Sequence, residues 1–205
     1  MALANYTDLV TNVGIWLARS GDSNITAYAP DFVALFEAEF NQDPDSRYRQ
    51  METTTSLTPS SGVATLPTDF LEVRAVKWTG TPARDLEYVT PSYMTARWPD
   101  APSDNPQAYT IVGGNLNVMP LSNTALTFDY WQKLPSLQTG TTNWLMTAYP
   151  NIYLAGTMVE AYAFIQDAEK AVAWKERMSN GLGKLTKSAF NAHGRMAQRV
   201  MGPTP

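Results

Sequence analysis

The apolar residues of this chain change their spacing twice, and that constrains the fold more than any single motif. A period near 3.6 buries one face of a helix, a period of 2 buries one face of a strand, and no segment satisfies both. In residues 1–45, Thr7 and Asp8 give a helix start, and Leu9, Val13, Trp16 and Leu17 follow at i, i+4, i+7 and i+8. Ser20, Gly21 and Asp22 end that run. Pro30 suits the first turn of a second helix, on which Phe32, Leu35, Phe36 and Phe40 repeat the helical spacing.

From about residue 48 to 143 the spacing is that of strands. Thr53, Thr54, Thr55, Ser56, Ser60 and Ser61 crowd a β-favouring stretch, and Leu71 to Trp78 alternates residue by residue. Leu86, Tyr88 and Val89 suggest a further strand. Tyr109 to Val112, Gly113-Gly114 and Asn115 to Met119 spell a hairpin with a glycine turn. Thr124 to Trp131 alternates through Leu126, Phe128 and Tyr130. Prolines 82, 91, 99, 102, 106, 120 and 135 favour short strands and loops over helices, so the whole segment reads as β.

After Asn143 the helical period returns. Ile152, Ala155, Met158, Val159, Tyr162 and Ile165 make a broad apolar face, the mark of a helix buried on most sides. Asp167 opens another helix with Ala171, Trp174 and Met178, and Gly181 and Gly183 interrupt it. The expected fold class is therefore α+β. A helical bundle is formed by N- and C-terminal helices (1–47 and 144–180), with an inserted antiparallel β domain (48–143) and a C-terminal helical arm (181–205). Neither helical end is large enough to bury a core alone, so the two must pack together.

Composition removes most chemistries. Among 205 residues there is no cysteine and one histidine, His193. Disulfides, thiolate zinc sites, iron–sulfur clusters and cysteine nucleophiles are excluded, and a Ser-His-Asp triad has a single candidate base. Fifteen Lys and Arg against 19 Asp and Glu give a net charge of −4, which disfavours gripping nucleic acid through its phosphates. The charge is uneven: seven acids against Arg19 alone give −6 over residues 1–45, whereas Lys184, Lys187, Arg195 and Arg199 face no acid after Gly181. The N-terminus shows no basic stretch followed by an apolar run, so no secretory signal is expected. The most apolar stretch, Ile152 to Ile165, is too short and too polar, with Thr157 and Glu160 inside it, to act as a membrane anchor.

Catalytic motifs fail on residue type. Gly183-Lys184 has Met178 where a P-loop needs glycine and Leu185 where it needs Ser or Thr. Gly181-Leu182-Gly183 follows no strand, so it is no dinucleotide fingerprint, and no Gly-x-Ser-x-Gly elbow occurs. Glu72, Asp85 and Glu87, with Trp78, Trp98, Tyr88 and Tyr93 to stack on sugar rings, leave open a carbohydrate-binding or peptidoglycan-hydrolysing tail component. Surface carboxylates on strands around an aromatic core are the plainer account. No cofactor or metal is expected. Glu160, alone in the apolar helix, reads as the partner of an arginine across a packing or subunit interface.

Several blocks carry a resemblance through their order. Met51-Glu52-Thr53 is followed by Leu66-Pro67-Thr68-Asp69-Phe70-Leu71-Glu72-Val73-Arg74 and by Leu86-Glu87-Tyr88-Val89-Thr90-Pro91. Tyr109 to Gly114, Thr142-Asn143-Trp144-Leu145 and Tyr149 to Gly156 complete the series. Together they resemble the head-to-tail adaptors of tailed bacteriophages, the group of tail-tubular-protein-A and head-completion proteins, over about residues 5 to 180. The resemblance implies a non-enzymatic virion protein, assembled in the bacterial host cytoplasm, with a helical core interrupted by a β domain. It implies a ring of typically twelve copies beneath the portal protein, joined below to a tail nozzle or tail-tube protein. Double-stranded DNA would pass through the channel without sequence-specific binding, which an acidic wall favours.

Two sets of residues are expected to serve assembly. Gly156, as a small residue permitting close approach, is assigned with Glu160 and Tyr162 to subunit packing. At about 100° per residue, Leu182, Leu185, Ala189, Ala192, Met196 and Val200 share one helical face, with Lys184, Lys187, Arg195 and Arg199 on the other side. Together with Phe190 they make the expected portal-binding arm, uncoupled from the bundle by Gly181 and Gly183.

Overall fold

The computed structural model describes residues 3–191, with side chains through Lys187. The described chain runs α1 (Tyr6–Trp16), α2 (Ser23–Gln42), β1 (Glu52–Leu57), β2 (Val63–Thr65), β3 (Phe70–Trp78), β4 (Arg84–Asp85), β5 (Glu87–Tyr88) and α3 (Pro91–Arg97). It continues with β6 (Ala108–Val112), β7 (Asn115–Met119), β8 (Leu126–Gln132), α4 (Leu137–Gly140), α5 (Trp144–Ala148), α6 (Pro150–Phe164) and α7 (Ala168–Asn191). The α+β class is as expected. Two compact units form: a helical one, from the residues up to Arg49 and from Leu134 onward, and a β one, Gln50–Lys133.

The β unit thus stops at Lys133, earlier than the expected 143. The reason is local: the Leu134 N–H donates to Asn41 Oδ1 at 2.8 Å, and Leu137 is fully buried with its N–H on Glu37 Oε1 at 2.7 Å. A connector pinned in this way belongs to the helices although it lacks their periodicity.

In the helical unit, Asn5 caps α1 by accepting from the Asp8 N–H, and Asp22 caps α2 through the Asn24 N–H. α2 therefore starts well before Pro30, which lies inside it rather than in its first turn. Pro30 removes one ladder donor, the cost is local, and Ile25 and Ala29 upstream are already buried. Helix α6 is buried on most sides through Ile152, Tyr153, Ala155, Gly156, Met158 and Ala161. Its Tyr153 ring meets Phe36 of α2 edge-on at 5.0 Å, which is how the two ends of the chain share one core.

Helix α7 begins under the Asp167 cap and passes straight through Gly181 and Gly183. The expected break at Gly181 is not there. A Cβ at Gly181 would stand 2.8 Å from Ile152 Cγ1, so this glycine admits α6 at close range and does not uncouple the helix. Leu185, one turn on, is 1% exposed. The start of the expected arm is therefore part of the bundle, because its apolar stripe finds a partner within the chain.

The β unit pairs two four-stranded sheets, β1-β8-β3-β4 and β2-β7-β6-β5. Val76, Trp78, Leu126, Phe128 and Tyr130 of the first meet Tyr109, Leu116 and Val118 of the second in one core cluster. The β6–β7 hairpin turns at Gly113, whose φ of +60° favours glycine. Three features depart from the expectation of regular antiparallel strands. β5 pairs with β6 in parallel. Two register shifts interrupt the alternation of β3, between Phe70 and Glu72 and between Val73 and Ala75. And α3 is a helix, because Thr90 caps it through the Tyr93 N–H and Pro91 fills its first position, where a missing donor costs nothing.

Tyr130, in the sandwich core, donates to Asp69 Oδ1 at 3.0 Å. Burial first, then the hydrogen bond to Asp69, push its phenol up to about 12. The unfolded chain releases this proton near the ordinary value of 10, so folding loses stability as pH rises from about 10 toward 12. Urea midpoints measured across that range should fall, and Tyr130→Phe should flatten the fall relative to the parent chain. An unchanged slope in the variant would assign it to other groups.

Candidate assembly surfaces

The helical unit keeps an unusual amount of large apolar surface in contact with solvent. Tyr28 is 46% exposed, Leu35 54% and Phe164 47%. Tyr28 and Leu35 lie seven residues apart on α2, hence on one stripe, and the Phe164 ring at the end of α6 lies 5.2 Å from Tyr28. Farther along, Glu39 of α2 is exposed and Glu160 of α6 is half-buried. Burial, then the Glu39 charge, raise the Glu160 carboxyl, and Lys175 on α7 opposes them. Among the described residues neither Glu39 nor Glu160 forms an ion pair. This flank is aromatic and acidic.

The other flank of α7 is aromatic and basic. Trp16, 49% exposed, meets Trp174 edge-on at 5.5 Å. The Arg177 guanidinium lies 5.0 Å from the Trp174 ring and 6.0 Å from that of Trp16. Lys170, Arg177 and Lys184 repeat at seven residues and so share one side of the helix. Lys170 is held by Asp167 at 2.9 Å, whereas Arg177 and Lys184 form no ion pair among the described residues. Trp16 and Leu35 fit the helical period, and for that reason read as core. Their exposure could not be seen from spacing alone.

The expected packing residues fall differently. Gly156 makes its close approach within the chain: a Cβ there would stand 2.0 Å from Phe36 Cδ2. Tyr162 is buried, with its hydroxyl on the Trp16 carbonyl at 3.4 Å and the Lys170 ammonium 5.5 Å from its ring. Glu160 is half-buried and sits on the acidic flank. Of the expected arm, Leu182 is half-buried, Leu185 is buried, and Lys184 and Lys187 are exposed. Phe190 belongs to α7, its side chain being outside those described, and His193, Arg195, Met196, Arg199 and Val200 lie outside the described residues.

In the β unit, an open recess of about 660 Å³ lies over β1, β8 and β3. Its charges pair among themselves: Glu52 with Arg74, and Asp129 with Lys77 at 3.0 Å. The Thr54 hydroxyl, 2.6 Å away, and the Lys77 ammonium hold the Asp129 carboxyl below its ordinary value. Of the three carboxylates considered for sugar chemistry, Glu72 stands five residues along β3 from Lys77, the register partner of Asp85, while Asp85 and Glu87 are exposed on either side of buried Leu86. Trp78 is buried and lies under Arg84 at 5.0 Å, so it offers no stacking face, while Tyr88 and Tyr93 are exposed. Among the described residues no cluster of His, Asp or Glu could hold a metal ion, and no helix is long and apolar enough to cross a membrane.

A chain that exposes oppositely charged aromatic faces and gathers no reactive constellation among its described residues has the attributes of an assembly component. The family model for SU10 adaptor protein matches residues 4–203, almost the whole chain. The chain belongs to that family. No curated protein matches it. The SU10 adaptor family comprises phage head-to-tail adaptors, so the role is structural and the setting is the virion. The match also takes in the residues after Gly181, which the sequence blocks had left without a counterpart.

Proposed function

We propose that this adaptor assembles as a ring, of twelve copies by the resemblance, between the portal protein and the tail nozzle or tube, and that DNA leaves through its centre without specific binding. The family match carries this reading. Two further observations support it: the helical unit leaves complementary surfaces unfilled, and the acidic charge of the chain lets a polyanion slide past. No hydrolytic role for Glu72, Asp85 or Glu87 is part of it. The portal-binding arm is reassigned to the exposed base Lys187, near the end of α7, together with Arg195, Met196, Arg199 and Val200 beyond it.

The test is a truncation placed by the packing of α7. Removing 181–205 would strip Leu185 and the Gly181 contact from the core and confound binding with folding. Removing 192–205 spares both. The shortened chain should keep its far-UV signal and thermal midpoint while its affinity for the cognate portal falls tenfold or more, and the parent's affinity should weaken with salt. Unchanged portal binding by the shortened chain would end the arm assignment.

A further inference from the structure

We infer that the ring contact is head-to-tail between the two flanks of the helical unit: the Glu39–Glu160 face of one copy docks on the Arg177–Lys184 face of the next. The inference rests on the ring reading above and specifies its surfaces. Lys175 and Arg177 are two residues apart on α7, about 200° around the helix, so they mark different sides of it. Their contacts agree: Lys175 acts on Glu160, whereas Arg177 lies against Trp16 and Trp174.

Each face lacks what the other offers. Glu160 is half-buried and feels the charge of exposed Glu39, a repulsion that Lys175 offsets only in part. Arg177 and Lys184 are cations with no carboxylate partner among the described residues. Around the acids stand Tyr28, Leu35 and Phe164, and around the bases Trp16 and Trp174, all of the kind that anchors interfaces. Lys175 on the acidic flank offsets only part of its charge. Because the two faces are different surfaces of the same chain, the contact is heterologous. Repeated, it closes into a ring or runs on as a filament; a two-fold dimer would need one self-complementary face.

The experiment uses full-length chains with one face reversed. One variant carries Glu39→Arg with Glu160→Arg, the other Arg177→Glu with Lys184→Glu. Self-association is read by sedimentation and negative-stain microscopy, alone and after adding the cognate portal, with circular dichroism to verify the fold. Each variant alone should lose self-association. Mixed in equal amounts, they should assemble with the two variants alternating, since the native pair forms one junction and the reversed pair forms the next. A chain with all four substitutions should assemble again. If the parent forms rings and either single-face variant does too, the surfaces are misassigned while the ring reading stands. If the parent never self-associates under either condition, the ring reading fails and this contact fails with it.

Discussion

Replacing Glu37 by leucine should destabilise the helical unit by about 3 kcal/mol, from the loss of one acceptor shared by two buried donors. Glu37 is a carboxylate of nearly full burial on the inward side of α2. Its Oε1 accepts from the Leu137 N–H at 2.7 Å and from the Tyr153 hydroxyl. Asn143 extends the chain of bonds: its amide donates to the Tyr153 hydroxyl at 3.1 Å and to the Pro135 carbonyl at 2.8 Å, and its Oδ1 caps α5 through the Met146 N–H. One cluster thus ties α2, the α4–α5 connector and α6. Leucine keeps the volume but leaves the Leu137 amide without a partner and the Tyr153 O–H without an acceptor, each costing about 1–3 kcal/mol. Tyr153→Phe should cost less, since the Leu137 N–H keeps its acceptor and Asn143 keeps Pro135. Urea unfolding followed at 222 nm measures both, and the double variant should fall well short of the sum of the singles. Additive losses would mean that the two residues do not act as one cluster.

That cluster also marks the limit of what sequence reading could reach. Glu37 lies 100 and 116 positions from its two donors, so nothing local distinguishes it from the other acids of residues 1–45. The change of period from helix to strand and back was legible, because burial of one face is written directly into spacing: Leu9 and Val13, Val76 and Phe128, Ile152 and Met158 are all core. Spacing could not say which apolar residues stay uncovered. Trp16 and Leu35 have the same period as their buried neighbours, and exposure depends on where a helix is packed rather than on its own pattern. Proline misled in both directions. Pro30 suggested a helix start and lies within a helix, while Pro91 suggested a loop and starts one. Capping decides those cases, since Asp22 and Thr90 supply acceptors at the true first turns. Gly181 was read for its backbone freedom, yet what matters there is the missing side chain opposite Ile152.

Gly156 is the second position where a small change should have a large effect. A glycine serving only a neighbouring copy would tolerate substitution in the isolated chain, but Gly156 meets Phe36 of its own chain. A Cβ built on Gly156 would lie 2.0 Å from Phe36 Cδ2 and 2.3 Å from Cε2, far inside contact distance. The obstacle is a ring that cannot swing aside, because Phe36 is 2% exposed and packed between Phe40, at 6.1 Å, and Tyr153, at 5.0 Å. Either the ring leaves its rotamer or α6 moves off α2, and both carry costs on the order of 1–3 kcal/mol for one added carbon. Helix propensity acts in the opposite sense by about 1 kcal/mol, since alanine is preferred to glycine inside a helix. Gly156→Ala should therefore lower stability by up to about 2 kcal/mol, and Gly156→Val, with two further carbons and a stiff χ1, by roughly 3 kcal/mol or more. Shrinking the obstacle separates packing from backbone effects: Phe36→Leu should cost stability in the parent chain but rescue part of the loss in Gly156→Ala. Thermal and urea unfolding of the isolated monomer measure all four chains. If Gly156→Ala is as stable as the parent there and fails only in assembly, the glycine serves a neighbouring copy after all.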